Sequence, residues 1–130
     1  MTHAHDAAAI AAIAQALGLY FDGLYHSDTR RLARVFHSDA RYVCASEAPV
    51  VNLGMAEYFP IVDARPSPAS RGEARRDRIV SIALAGPHTA IARVECAIGA
   101  KAFTDLLSFI RADGEWRIIA KVFHFDRIDA

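Results

Sequence analysis

From residue 79 onward the hydrophobic period of the chain switches from the 3.6 of a helix to the 2 of a strand, and this switch limits the fold more than any other feature. Residues 79–84, 89–98, 103–110 and 116–125 read as four consecutive strands, punctuated by Gly86-Pro87, Gly99-Ala100-Lys101 and Asp113-Gly114. In the second run Ala90, Ala92, Val94, Cys96 and Ile98 alternate with Arg93 and Glu95, so one face is buried and the other polar. The helical patterns precede the strands. Over residues 6–25, Ala9, Ile10, Ile13, Leu17, Tyr20, Phe21 and Leu24 recur at spacings of three and four, one face of an amphipathic helix that ends near His26 and Ser27. Ser27 or Asp28 offers an N-cap for a shorter helix carrying Leu32, Val35 and Phe36, which stops before a Ser38-Asp39 turn. A strand over 41–45 follows, with 49–52 as its partner or a loop. Residues 54–64 predict a third helix interrupted by Pro60, and Pro66-Ser67-Pro68 forbids a regular element. The expected fold class is therefore α+β, N-terminal helices packed on an antiparallel sheet, with residues 1–130 forming one domain.

Charge and length narrow the functions. A chain of 130 residues buries about two-thirds of its unfolded surface without help from disulfides or metal. Fifteen Lys plus Arg balance fifteen Asp plus Glu, which leaves no basic field for nucleic acid or a membrane surface. No apolar run is read as approaching the ~20 residues of a membrane span, and the N-terminus lacks a secretory signal, so the expected location is the cytoplasm. Cys44 and Cys96 are too few for a disulfide framework or a zinc knuckle and read as packed thiols. His3 and His5 have metal-ligand spacing but no third ligand nearby and sit on what reads as a frayed end. No nucleophile elbow, phosphate loop, dinucleotide fingerprint or metal quartet occurs, so no cofactor or metal is expected.

Asp113-Gly114 is a strong two-residue hairpin signal, and in that register partner residue numbers sum to 227. Phe103 then faces His124. The same face carries Asp105 opposite Val122, Leu107 opposite Ala120 and Phe109 opposite Ile118, with Asp105 diagonal to His124 and within reach of it. The other face carries Thr104, Leu106, Ser108 and Ile110 against Phe123, Lys121, Ile119 and Arg117, a mixture suited to a second subunit. A three-residue turn with a bulge at Gly114 instead sets Asp105 against Lys121 as an ordinary cross-strand ion pair.

In this order of elements the chain resembles the nuclear transport factor 2-like superfamily. The carriers are YFDGLYHSDTRRLARVFHSD from Tyr20 to Asp39 and DGEWRIIAKVFHF from Asp113 to Phe125. More narrowly, FHSDA at Phe36, RPSPASRGEAR at Arg65, FTDLLSF at Phe103 and KVFHF at Lys121 resemble the lumazine-binding-like branch, for which the name implies no established reaction. The resemblance implies a cone, helices around a curved sheet, with a pocket inside. Enzymes of the superfamily, such as ketosteroid isomerase, polyketide cyclases and scytalone dehydratase, imply acid-base chemistry there. In the isomerase a helix tyrosine and a protonated aspartic acid bind a developing oxyanion while another aspartate moves the proton. Tyr20 falls at the tyrosine position and Asp105 within one residue of the acid, but Cys44 occupies the place of the proton-transferring aspartate, and a neutral thiol is a poor base.

Two readings follow. The first is a small-molecule-binding homodimer whose pocket takes a small apolar or aromatic ligand, is lined by Phe103, Leu107, Phe109, Trp116, Ile118 and Cys44, and is tipped by Tyr20, Asp105 and His124. The outer sheet face, with Leu106, Ile110, Ile119 and Phe123, would then carry the second subunit. The second reading is a cofactor-independent isomerase, dehydratase or cyclase in which Asp105 orients His124 as a base and Tyr20 assists. His37 is read as a helix cap or as a group at the pocket entrance. Arg65, Arg71, Arg75, Arg76 and Arg78 surround a Pro/Ser/Gly loop suited to a phosphate or carboxylate tail, although Glu73 and Asp77 offset them and favour a solvated surface.

Overall fold

The structure, a computed structural model, describes residues 3–128, with side chains from Asp6 to Ile128. α1 spans His3–Tyr25, and Ile13, Leu17, Tyr20, Phe21 and Leu24 bury its apolar stripe in the core. Ile10, placed on that stripe by spacing, is 42% exposed. The backbone at His3 and His5 is already helical rather than frayed; their side chains lie outside the described residues. By length and composition alone Asp6–Tyr25 is long and apolar enough to cross a membrane, contrary to the expectation from sequence. Much of that hydropathy comes from the alanines between the core-packed positions.

α2, Thr29–Val35, starts where Asp28 Oδ1 accepts the Arg30 and Arg31 backbone N–H groups at 3.0 and 3.3 Å. It crosses α1 at Gly23, where a Cβ would lie 2.6 Å from Leu32 Cδ2. β1, Phe36–Cys44, begins earlier than expected: Phe36 is its first residue, and Ser38-Asp39 lies inside it rather than in a turn. β2 is Val51–Gly54 and α3 is Met55–Ala64. α3 runs through Pro60 because the ring lies exposed on the solvent side while Met55, Tyr58 and Val62 hold the opposite face to the core.

β3 (Asp77–Leu84), β4 (Thr89–Ile98), β5 (Lys101–Ala112) and β6 (Glu115–Arg127) complete a six-stranded sheet in the order β2-β1-β6-β5-β4-β3. The fold class is α+β as expected. One pair, β1 with β6, is parallel, so the sheet is mixed rather than wholly antiparallel. A central last strand cannot be reached by hairpins from β1, and the alternation within each strand carries no sign of direction.

The last hairpin turns through Asp113 and Gly114, both at positive φ (53° and 79°), and its first pairs keep the sum 227, from Ala112 with Glu115 to Phe109 with Ile118. A bulge then shifts the ladder: Ser108 pairs with Ala120, Asp105 with Phe123 and Thr104 with His124. Ile119 is the extra residue. On its other side β1 passes the same point with residues 37–40, between the pairs Phe36 with Ile118 and Arg41 with Ala120. Beyond Ile119 every β6 side chain changes face relative to the unbroken register. Lys121 and Phe123, expected outside, point inward and are buried; Val122 and His124, expected inside, point outward and are exposed.

Candidate ligand-binding site

The reversed half of β6 builds a polar centre on the concave face. Tyr20 and Asp105 are wholly buried, and the Tyr20 hydroxyl donates to Asp105 Oδ2 at 2.5 Å. Lys121 Nζ lies 3.9 Å from the same oxygen. Four rings surround this ammonium, Phe123 at 5.0 Å from the centroid, Tyr20 at 5.1 Å, Tyr42 at 5.3 Å and Tyr58 at 5.9 Å. Tyr42 stacks on Tyr58 at 4.2 Å, and Phe123 continues the aromatic wall to Phe103 and, through it, to Phe125. Asp105 Oδ1 is sealed from solvent and has no hydrogen-bond partner among the described residues.

The protonation states follow from burial and charge. Burial holds the Tyr20 phenol protonated far into alkali, reinforced by the Asp105 carboxylate. Burial alone would draw protons off Lys121, but Asp105 outweighs it and raises the ammonium above the ordinary lysine range. Burial, then Asp105, pushes the Cys96 thiol up to about 12, so it is neutral and unreactive. Burial also raises the Tyr42 phenol, against the pull of Lys121 and Arg65. With its donor committed to Asp105, Tyr20 does not offer the pair of oxyanion donors that the isomerase comparison implies. Lys121, fully charged, is no Schiff-base nucleophile.

The expected Asp105–His124 dyad is absent because of the bulge. His124 lies on the outer side, its Nδ1 2.9 Å from Ser46 Oγ and its Nε2 2.9 Å from Asp126 Oδ1. The acid-base reading that depended on that pair falls with it. Among the expected lining residues, Leu107, Phe109 and Ile118 are wholly buried packing, and Phe103 is half-buried against Phe123. Cys44 is buried on β1 two residues beyond Tyr42. Trp116 is partly buried against the core and lines an open cleft together with Ala9 and Ala12 of α1. His37 lies away from the cluster, in an open cleft of about 720 Å³ between α2, α3 and the hairpin tip, where its Nδ1 accepts the Asp39 N–H at 3.0 Å. It is no C-cap, because Phe36 already ends α2.

The segment after α3 is tied to α1, to β4 and to the β4–β5 turn. The Tyr25 hydroxyl donates to Glu73 O at 2.5 Å, Gly99 N–H donates to Glu73 Oε1 at 2.9 Å, and Ala97 N–H donates to Arg76 O at 3.1 Å. Its arginines divide into two kinds. Arg71 pairs with Glu73, Arg75 with Asp22 and Asp77, and Arg78 with Glu95, which is the solvated arrangement expected of them. Arg65, at the C-cap of α3, instead keeps Nε sealed and unpartnered. Lys121 itself was missed as a site residue; the only signal for it was the bulge alternative, which paired Asp105 directly with Lys121 as an ordinary ion pair, whereas Asp105 pairs with Phe123.

The helix-then-sheet order, the curved mixed sheet and the polar centre under α1 define a nuclear transport factor 2-like domain. The family described as "Putative lumazine-binding" matches residues 8–124, and the chain belongs to that family. A nuclear transport factor 2-like protein of unknown function from Silicibacter pomeroyi is similar at a TM-score of 0.81 and 23% identity, over 93% of this chain and 98% of that one. One of unknown function from Methylobacillus flagellatus is similar at 0.72 and 28%, over 90% and 91%. A ketosteroid isomerase-like protein from Erwinia carotovora atroseptica has the same fold at 0.69 and 12% identity, over 88% and 94%. No curated protein matches the chain.

Proposed function

We propose that this is a small-molecule-binding domain whose ligand is a planar, largely apolar ring system taken up at the mouth of the cone. The observation that carries the reading is Asp105 Oδ1, a carboxylate oxygen with no donor, sealed beside a caged ammonium and aromatic walls. Such an atom is costly to leave unmet, and a ligand N–H or O–H meets it. In this reading the ligand enters past Tyr42, Phe103, Phe125 and Cys96, which are half-buried. The family description names a pteridine-type ligand, a flat bicycle with adjacent donors and acceptors, which suits an Asp105 acceptor beside a Lys121 donor. The domain acts as a homodimer through its outer sheet face, and its free thiols Cys44 and Cys96 suit the reducing cytoplasm.

Calorimetric titration with lumazine and a panel of aromatic heterocycles tests the binding reading. Wild type is expected to bind at least one of them, with Asp105→Asn weakening it by about tenfold or more and His124→Ala leaving it unchanged. No binding across the panel, or equal binding by a folded Asp105→Asn, overturns it.

A further inference from the structure

Met55, Tyr58 and Val62 hold one face of α3 to the core, and Ala56, Phe59, Pro60 and Asp63 present a second face at the same helical spacing. That second face is one wall of the open cleft of about 720 Å³ where His37 lies, bounded on its other sides by α2, the start of β1 and the last hairpin. Phe36 and Phe59 meet edge to face there, ring centroids 6.3 Å apart, and Ala33 of α2 joins Ala56 and Pro60 as apolar surface exposed to solvent. An apolar hollow of this size with a few polar groups on its rim has the form of a small-molecule site. Tyr20, Asp105 and Lys121 are not in its walls, so it is separate from the polar centre of the cone.

The rim of the cleft selects by charge. Arg117 is the only lysine or arginine in its walls, and it is engaged: Nη2 donates to Glu115 Oε2, and Nη1 donates to the Arg34 carbonyl at the end of α2 at 2.8 Å. Asp63 and Asp113, also in the walls, have no ion-pair partner among the described residues. Asp63 Oδ1 accepts the neutral Thr29 hydroxyl at 2.8 Å, which leaves its charge uncompensated. Arg30 and Arg31 border Asp63 from a neighbouring cleft without pairing with it, Arg31 being held by Asp28. Pro60 adds to the same sign: having no N–H, it leaves the Ala56 carbonyl, one turn back on the same face, without its helical donor. We propose that this cleft is a second ligand site, which takes an arylalkyl ammonium ion. The ring lies on Phe36 and Phe59, and the ammonium pairs with Asp63, while Asp113 and the Ala56 carbonyl reinforce the negative rim. An anion there meets two unpaired carboxylates.

Titration at neutral pH with tryptamine, its alcohol analogue tryptophol and the anion indole-3-propionate tests the proposal, with binding located by the amide NMR signals of the protein. Wild type is expected to bind tryptamine about fivefold tighter than tryptophol, the size of a solvent-exposed ion pair, and indole-3-propionate more weakly than either. The signals of Ala56, Phe59, Asp63 and Arg117 move, and those of Asp105, Lys121 and Phe123 do not. Asp63→Asn, an exposed change that keeps an acceptor for Thr29, brings tryptamine to within about twofold of tryptophol and leaves tryptophol affinity as it was. Salt at about 1 M narrows the wild-type ratio in the same way. Equal affinity for tryptamine and tryptophol, a ratio unchanged by Asp63→Asn, or no binding of tryptamine at millimolar concentration overturns the proposal. Shifts confined to Asp105, Lys121 and Phe123 also overturn it, and support the reading of the cone instead; the other three outcomes leave that reading intact.

Discussion

Lys121 carries a full charge to a place 4% exposed, and its only ionic partner among the described residues is Asp105, itself wholly buried. Removing one member leaves the other uncompensated, so Asp105→Asn and Lys121→Met should each lower the urea-unfolding free energy by about 3 kcal/mol or more. The double variant Asp105→Asn/Lys121→Met should recover a large part of that loss, since an apolar replacement of both ions is often neutral. Additive losses would mean the two do not act as a pair. The pH dependence has a definite sign. Tyr20, Cys96 and Lys121 hold their protons in the folded chain beyond their ordinary values of 10.0, 9.0 and 10.5. Their contribution is therefore complete below about pH 9 and is lost as pH rises, because the unfolded chain releases those protons first. Urea midpoints measured from pH 7 to 11 should be level and then fall, with a shallower fall in Lys121→Met.

At the scale of elements, what was legible was the periodic part. The four late strands, the stripe of α1, the Asp28 cap and the Asp113-Gly114 turn all follow from local chemistry written in adjacent residues. The bulge at Ile119 does not: Ile118-Ile119 is β-branched and reads as uninterrupted strand, and the matching irregularity lies in β1, some eighty positions away, which passes the same point with residues 37–40. A single unpaired residue thus exchanged the inner and outer sets of half a strand, removing His124 from the candidate site and installing Lys121. The elements also make two predictions about glycine. Gly23→Ala places a methyl 2.6 Å from Leu32 where α1 and α2 cross, and should cost about 1–3 kcal/mol in chemical denaturation. Gly114 has open space around it but φ of +79°, so Gly114→Ala should cost about 1 kcal/mol through backbone strain alone. Asp113→Gly, also at positive φ, should be tolerated.

For the whole molecule, the apolar excess of a chain without net charge separates into the core and an outer face. Ile91, Leu106 and Val122 are 43%, 42% and 48% exposed, and Leu106 pairs directly with Val122 across β5 and β6. This face was expected to carry Phe123, and it carries Val122 instead, so its apolar character survives the bulge with different residues. Light scattering should give twice the mass of the chain, and Val122→Glu should reduce it to one copy without altering the circular dichroism. A monomeric wild type would remove the dimer from the proposed function.

The position of β6 bears on how the molecule comes into being. It follows the other five strands in chain order, yet it lies at the middle of the sheet, between β1 and β5. A ribosome delivers the chain in order, so the β2-β1 pair and the β5-β4-β3 meander emerge as two fragments with an unfilled slot between them, each presenting a bare edge. Neither Tyr20 nor Asp105 meets Lys121 until β6 enters that slot, so the joining of the two fragments and the closing of the polar centre are one event.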